Sequence, residues 1–179
     1  MTAILLRPYL PDDAETLAEL FRASVIELAA DDYDEDQRMA WAEKGEDVEG
    51  FAADLAQWLT LVATLEGETV GFASLKDNAS LQLLYVHPDA SRMGVATTLV
   101  DALERLAGAR GAVAISVDAS ETAQPFFAQR GYAPLSRNTV MAGEEWLANT
   151  SMKKDLAGKK DLAGKKELAA NTNQKGPAQ

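Results

Sequence analysis

The sequence predicts an α+β domain in which helices are layered against a mixed sheet. Up to residue 60, one short strand is followed by apolar residues at helical spacing. At residue 61 the pattern changes to three consecutive strands joined by short turns, which is typical of antiparallel pairing. Beyond residue 94, helices and strands alternate. This change of pattern along the chain predicts the fold class.

The first sixty residues hold a strand and then helices. Residues 4–8 have the composition of a short strand, and Pro11 with two following aspartates marks a helix start. Asp34 is a candidate cap for a second short helix. The apolar residues that indicate the first and the third helical stretch are Leu17, Leu20, Phe21, Val25 and Leu28, and then Phe51, Leu55, Trp58 and Leu59.

The next three strands follow each other directly. Residues 61–65 and 70–75 flank a turn that contains Gly67, which predicts a hairpin. Residues 81–86 form the following strand. Because its apolar run is nearly continuous, we expect it to be central and covered on both faces.

The last elements complete the predicted domain, residues 1–152. Gly94 opens a helix with one apolar stripe, and Gly111 marks its end. A strand at 112–117 and a short helix at 122–129 follow. Two further strands are expected near 132–141 and 146–152.

Residues 153–179 form a lysine-rich, low-complexity tail. Residues 153–158 recur as 159–164, and again with changes as 165–170. A six-residue period turns the repeated leucine by about 240° on a helix, so the repeats form no single apolar stripe. We therefore predict a solvated extension that is partly helical or disordered.

Charge and composition exclude several classes of function. The net charge is −11, and the tail has seven lysines against three carboxylates, which leaves −15 on residues 1–152. Such a surface repels nucleic acid and attracts a cationic acceptor. With no cysteine and one histidine, we expect neither disulfides nor a metal site. We see no signal segment and no apolar run near the roughly 20 residues of a membrane span, so we expect a cytoplasmic protein without a membrane partner.

The connection between Val86 and Gly94 is suited to bind phosphate. The amino-terminal end of the following helix offers free backbone N–H groups and a positive dipole end. Gly94 permits close approach of a ligand, Ala96 adds little bulk, and Arg92 supplies positive charge. The competing interpretation is a plain helix start. The connection between Val86 and Gly94 follows the third antiparallel strand, and this position argues against a dinucleotide-binding fold.

Two segments resemble motifs of the GNAT (GCN5-related N-acetyltransferase) superfamily. Residues 86–96 are similar to its acetyl-CoA signature, which is Gln or Arg, two residues, Gly, one residue, and then Gly or Ala. Residues 123–132 resemble its second motif, a short helix that is followed by glycine, an aromatic residue and a strand. The resemblance implies a three-layer GNAT-like acyl-CoA N-acyltransferase fold. Its central sheet would be mixed, mostly antiparallel and flanked by helices.

Three further segments narrow the resemblance. Residues 32–33 with Gln37, residues 40–42 and residues 118–120 are similar to a bacterial GNAT subgroup whose substrate is poorly defined. The resemblance extends over residues 4–152 and leaves only the tail outside.

The resemblance also implies a set of residues that bind acetyl-CoA. Backbone groups of the strand before the loop would pair with the pantetheine arm. Amides of the loop and helix start would hold the pyrophosphate, and two phenylalanines would lie beside the pantetheine or thioester end. These residues are Leu84, Tyr85, Val86, Ser91, Arg92, Met93, Gly94, Val95, Ala96, Thr97, Phe126 and Phe127.

Three positions depart from the family pattern. Ser91 stands where the signature has Gln or Arg. Gln82 lies near the place where many members have a carboxylate that acts as base, and an amide cannot take a proton. Phe127 replaces a tyrosine that in many members protonates the leaving thiolate.

Tyr85, Asp32 and Tyr33 are the candidate catalytic residues that remain. Tyr85 is on the strand before the loop, although packing on the sheet is the alternative role for its ring. Asp32 and Tyr33 lie in the helical connection that usually forms the acceptor side. They could recognise a cationic acceptor or relay a proton, and a solvated acidic run is the alternative.

The implied function is transfer of an acetyl group from acetyl-CoA to a primary amine of a small molecule or protein, by direct attack. An alternative is an acyl-CoA-binding module with little or no catalysis, which Gln82 and Phe127 would explain. A third hypothesis is an interaction protein that works through the lysine-rich tail. The sequence does not identify the acceptor, and it is compatible with a homodimer.

Overall fold

The computed structural model of the chain describes residues 2–156, which form one seven-stranded sheet with helices on both faces. The strand order is β1-β2-β3-β4-β5-β7-β6, and the β4–β5 pair is parallel whereas the others are antiparallel. The mixed, mostly antiparallel sheet is thus confirmed. The strands are β1 (Leu5–Pro8), β2 (Leu59–Leu65), β3 (Glu68–Lys76), β4 (Ser80–Val86), β5 (Ala114–Ser120), β6 (Ala133–Ala142) and β7 (Glu145–Asp155). The helices are α1 (Ala14–Leu28), α2 (Glu35–Ala42), α3 (Val48–Gln57), α4 (Val95–Ala109) and α5 (Gln124–Gln129).

Local capping explains where α2 begins. The Asp34 carboxylate accepts from the Gln37 backbone N–H at 2.9 Å, and the Gln37 side chain accepts from the Asp34 N–H at 3.0 Å. This reciprocal capping box satisfies two N–H groups that lack helical partners. The predicted cap at Asp34 is confirmed.

The third helix ends earlier than the apolar spacing predicted. Trp58 has extended backbone angles, φ −106° and ψ 164°, and Leu59 already pairs with Leu75 in the sheet. The expectation that Leu59 belongs to this helix is therefore wrong. Pairing with β3 overrides the helical spacing, which short apolar segments do not specify uniquely.

Each face of the sheet has its own core. On one face, Leu99 and Leu103 of α4 are buried with Ile115 and Met152 of the sheet. On the opposite face, the helices α1 and α3 pack on Val62 and Phe72, which contribute to a second cluster. A smaller cluster, Ala29, Tyr33, Ala142 and Leu147, lies under the α1–α2 connection. The arrangement is therefore three-layered.

The last strand extends further than the sequence predicted. β7 continues to Asp155, three residues past position 152, because Lys153, Lys154 and Asp155 pair with β5. β5 itself begins at Ala114, two residues later than expected. The rest of the predicted tail, residues 157–179, lies outside the described residues. Within residues 2–156, the helices are too short or too polar to cross a membrane.

Candidate functional site

A cleft opens where β4 and β5 separate. Their parallel pairing covers two residue pairs, Ser80 with Ser116 and Leu81 with Val117. On its other side, β4 stays paired with β3 as far as Val86. The second half of β4 is only partly buried along this open edge, although its side chains pack against the clusters on both faces of the sheet, as expected. β4 is central in the strand order, but it no longer pairs with β5 beyond Leu81.

A β-bulge at Gln82 gives the physical reason for this separation. Ser74 of β3 pairs with Leu83 and Leu75 pairs with Leu81, so Gln82 is an extra residue on β4. A bulge bends its strand and increases the local twist. Here it follows the last parallel pair directly and turns β4 away from β5.

On the edge of β4 that faces the cleft, backbone groups have no hydrogen-bond partner among residues 2–156. The His87 N–H donates to the Val70 carbonyl at 2.8 Å. Because hydrogen-bonded and non-bonded pairs alternate in an antiparallel ladder, the backbone groups of Tyr85 face β3. Those of Leu84 and Val86 point into the cleft instead. An extended ligand could pair with them as an added strand.

The amino-terminal end of α4 presents a concave group of backbone amides, here called the α4 cradle (residues 92–97). Arg92 and Gly94 both have left-handed backbone angles, φ 61° and 86°, which turns neighbouring N–H groups toward one side. The N–H groups of Val95, Ala96 and Thr97 in the first turn lack helical acceptors, and no side chain of residues 2–156 caps them. A Cβ on Gly94 would meet no atom of residues 2–156 within 4 Å, so the space beside this glycine is open.

The charges around the α4 cradle favour an anion. The first turns of α1, α2 and α3 each carry a carboxylate, whereas the first turn of α4 has none. The positive end of the α4 dipole is therefore not neutralised by its own helix. Arg92 and Met93 are exposed beside it, Ser91 is half-buried, and Val95 is buried and anchors the helix start.

Tyr85 lies in an aromatic cluster at the side of the cleft that faces α1 and α2. The centroid of its ring is 4.7 Å from that of Phe21, 5.7 Å from Phe72 and 6.4 Å from Trp41. Burial raises the pKa of the Tyr85 hydroxyl far above its usual value, so the phenol is neutral at physiological pH. A neutral phenol can donate a proton or a hydrogen bond, but it is a poor base. The catalytic role of Tyr85 stays a prediction.

Tyr33 connects three segments through its hydroxyl. This group donates to the Ala148 carbonyl at 2.6 Å and accepts from the Glu121 N–H at 2.9 Å. The adjacent Asp32 accepts from the Thr122 hydroxyl at 2.9 Å. Tyr33 lines the cleft with its ring, whereas Asp32 is exposed and does not line it. Their catalytic roles stay predictions, and the hydrogen bonds indicate a positioning role for Tyr33.

Tyr33→Phe is expected to lower the free energy of unfolding by about 2 kcal/mol, because a buried N–H and a carbonyl both lose their partner. Urea unfolding measures this change. Tyr9→Phe is the matched control, since Tyr9 is partly buried and its hydroxyl makes no hydrogen bond within residues 2–156. Equal losses in the two variants would contradict the proposed connecting role of Tyr33.

Comparison with known proteins agrees with this geometry. Residues 29–156 match the family described as acetyltransferase (GNAT) domain. The chain belongs to the GNAT family. It is therefore an acyltransferase, as the resemblance of its two motifs implied.

Individual GNAT proteins are similar over most of the chain. The uncharacterized N-acetyltransferase YafP of Escherichia coli is 31% identical over 153 residues, which are 86% of this chain and 97% of YafP. A crystal structure of a GCN5-related N-acetyltransferase from Rhodopseudomonas palustris has 55% identity and a TM-score of 0.84, and the match covers 87% of this chain and 97% of that one. PaiA N-acetyltransferase from Thermoplasma acidophilum, solved with coenzyme A, shares the fold at 20% identity and a TM-score of 0.70, over 86% of this chain and 99% of PaiA.

In this GNAT domain, α5 brings only one of its two phenylalanines to the cleft. Phe127 is buried, lines the cleft and contacts Tyr132, with ring centroids 5.0 Å apart. Phe126 is half-buried, does not line the cleft, and has the Arg130 guanidinium 5.5 Å from its ring centroid. Phe127 is thus better placed than Phe126 to contact a ligand in the cleft.

One residue in the cleft was not among the candidates from the sequence. Asp118 of β5 is the only charged side chain that lines the cleft within residues 2–156, and Gln82 lies across from it on β4. The signal was the alternation of Ser116, Asp118 and Ser120, which puts polar groups on one face of β5. That face turns toward the cleft because β4 has separated from β5.

Proposed function

We propose that this GNAT domain transfers an acetyl group from acetyl-CoA to a primary amine of a small molecule or protein. The observation that carries the proposal is the continuity between the cleft, the free edge of β4 and the α4 cradle. Together they offer backbone donors and acceptors to an extended ligand that has an anionic group near its middle, as coenzyme A has.

The residues present fit acetyl-CoA on two grounds. The α4 cradle has unpaired N–H groups and no acidic side chain in its first turn, which suits a pyrophosphate. Leu84 and Val86 offer their backbone groups to the amides of the pantetheine arm. Phe127 would then lie near the thioester, and Ser91 would contribute one hydroxyl where the family signature has a longer side chain.

The bound acetyl-CoA would supply an activated acyl group, and the protein would supply orientation. The acceptor would enter from the side lined by Tyr33, Trp41 and Tyr85. Its nitrogen bonds to the acyl carbon, the carbon–sulfur bond breaks, and the products are an amide and a free thiol. One proton is released for each protonated amine consumed. The nitrogen would attack after its ammonium form has lost one proton to water. Tyr85, whose phenol stays protonated, would pass its proton to the leaving sulfur and regain one from the new amide nitrogen.

The acidic surface supports a cationic acceptor. Residues 1–152 carry a net charge of −15, so amines are drawn toward the protein at low ionic strength.

We further propose that the GNAT domain ends near residue 156. The family match ends there, and β7 ends at Asp155.

Titration calorimetry with acetyl-CoA, followed by a thiol-release assay over a panel of primary amines, tests this function. We expect a dissociation constant in the micromolar range, roughly −8 kcal/mol, and thiol release that depends on the amine. No binding at millimolar acetyl-CoA would refute the proposal. Binding without amine-dependent release would instead favour a module with little catalysis, as the amide of Gln82 and the absent hydroxyl of Phe127 would explain.

A further inference from the structure

We propose that Asp118 binds the ammonium group of the acceptor, which makes the substrate a cationic primary amine without a carboxylate next to the amine. This inference rests on the proposed function, since it names the substrate class of the same cleft. It starts from the position of Asp118 as the one charged side chain that lines the cleft within the described residues.

A chain of hydrogen bonds holds the Asp118 carboxylate in place. The Ser151 hydroxyl donates to Asp118 Oδ1 at 2.6 Å, and Asn138 Nδ2 donates to the Ser151 oxygen at 2.8 Å. Asn138 Nδ2 also donates to Asn149 Oδ1 at 3.0 Å. The Oδ1 of Asn138 accepts from the Ser136 hydroxyl at 3.1 Å. Because the Ser151 oxygen accepts from Asn138, its hydroxyl proton is directed at Asp118.

The other carboxylate oxygen of Asp118 is available to a ligand. Asp118 Oδ2 accepts no hydrogen bond from the part of the chain that the structure describes. A carboxylate fixed through one oxygen and open at the other is preorganised to accept a hydrogen bond from an ammonium group. Such charge-assisted bonds are about twice as strong as neutral ones.

No cation of the described residues neutralises Asp118. Arg137 lies on the adjacent strand β6, but its guanidinium pairs with Glu121 at 2.8 Å. Lys153 is on the same face of β7, two residues beyond Ser151, and forms no ion pair with Asp118. The negative charge of Asp118 therefore remains for a ligand.

The opposite walls of the cleft also suit a cation. Trp41, Tyr85 and Tyr33 line it with aromatic rings. An ammonium group is attracted to the face of an aromatic ring, and tryptophan gives the strongest attraction. A carboxylate on the carbon that carries the amine would meet the same negative charge that holds the amine, so α-amino acids are disfavoured.

The test compares matched amines on the full-length protein and on two variants. Pentylamine and norleucine differ by one carboxylate, as do tyramine and tyrosine. Asp118→Asn keeps the shape of the side chain and an oxygen for Ser151. Asp77→Asn removes the same charge from the exposed turn between β3 and β4, which does not line the cleft, and is the control. Thermal unfolding checks that both variants are folded, and titration calorimetry measures their affinity for acetyl-CoA.

We expect the wild-type protein to prefer each amine over its amino acid by at least about tenfold in kcat/KM, a difference of roughly 1.4 kcal/mol. Asp118→Asn should raise KM for the amine at least tenfold and leave acetyl-CoA affinity within twofold, and Asp77→Asn should change neither. Equal use of pentylamine and norleucine, or an unchanged KM in Asp118→Asn, would overturn the proposal.

A direct binding measurement separates this proposal from the proposed function. Saturation-transfer NMR with pentylamine in the presence of coenzyme A requires no turnover. Binding to the wild type that Asp118→Asn abolishes would support the acceptor site even if no amine were acetylated, and only the catalytic function would then fail. No pentylamine binding to the wild type would overturn the acceptor site.

Discussion

Gly94→Ala is expected to weaken acetyl-CoA binding roughly a hundredfold. An alanine Cβ at this position would occupy open space at the start of the α4 cradle, where we expect it to hinder the close approach of the proposed pyrophosphate. Loss of two charge-assisted hydrogen bonds, at about 1.5 kcal/mol each, amounts to about 3 kcal/mol, which is two powers of ten in affinity. Titration calorimetry with acetyl-CoA measures the change.

Gly111→Ala is the matched control for this variant. Gly111 lies just past the other end of α4 and has φ 89°, close to the 86° of Gly94, and its Cβ would also meet nothing within 4 Å. In both variants the left-handed backbone of the alanine costs about 1–2 kcal/mol, so both should lower the melting temperature by a similar amount. Only the change at Gly94 should affect binding. Similar acetyl-CoA affinities in the two variants would argue against the cradle.

Gly71→Ala is expected to destabilise the protein by about 3 kcal/mol, at the upper end of the range for overpacked cores. Gly71 lies in β3, directly beneath the first turn of α4. An added Cβ would lie 2.7 Å from Val95 Cγ1, 3.0 Å from the Tyr85 carbonyl oxygen and 3.3 Å from Leu99 Cδ1. Because the Tyr85 carbonyl is fixed in the sheet, we expect Val95 and Leu99 of α4 to shift away from the added Cβ. Urea unfolding measures the loss of stability, and acetyl-CoA affinity should fall as the cradle shifts.

A second substitution should partly reverse this effect. Val95→Ala removes the methyl group that makes the shortest contact, so Gly71→Ala and Val95→Ala should be less destabilising together than the sum of their separate effects. Contacting residues commonly show such coupling, on the order of 0.5–3 kcal/mol. Additive losses would mean that the contact between Gly71 and Val95 does not set the position of α4.

The elements of the fold could be predicted because their signals are local. Asp34 and Gln37 are three residues apart and form their capping box within one turn. The Gly67 turn and its flanking strands pair as a hairpin. Leu59 was assigned to the wrong element because its partner Leu75 is on another strand. Where the deciding contact lies outside the segment, apolar spacing alone does not distinguish helix from strand.

The α4 cradle and the acceptor side of the cleft also differ in how far the sequence could predict them. The cradle depends on Gly94 and on the start of one helix, both of which can be recognised in a short stretch of sequence. The acceptor side depends on Asp118, which meets Ser151 from another strand, and on Tyr33, whose hydroxyl bonds to Ala148 over a separation of 115 positions. These contacts form only when the strands are assembled. The sequence therefore put Asp32 and Tyr33 forward as catalytic candidates, whereas Asp118 entered only as part of a segment that resembles a GNAT subgroup.

The sequence by itself determined the fold class, the family and the loop with the glycine that opens α4. Each depends on residue types within a few positions of one another, where backbone preference and hydrogen bonding are local. The tertiary structure alone decided that β4 separates from β5 at Gln82 and that Tyr33 is held by two backbone groups. It also decided that, among residues 2–156, Asp118 is the one carboxylate that lines the cleft. The physical reason is that strand register and side-chain packing are set by the whole core, which brings together residues far apart in the chain.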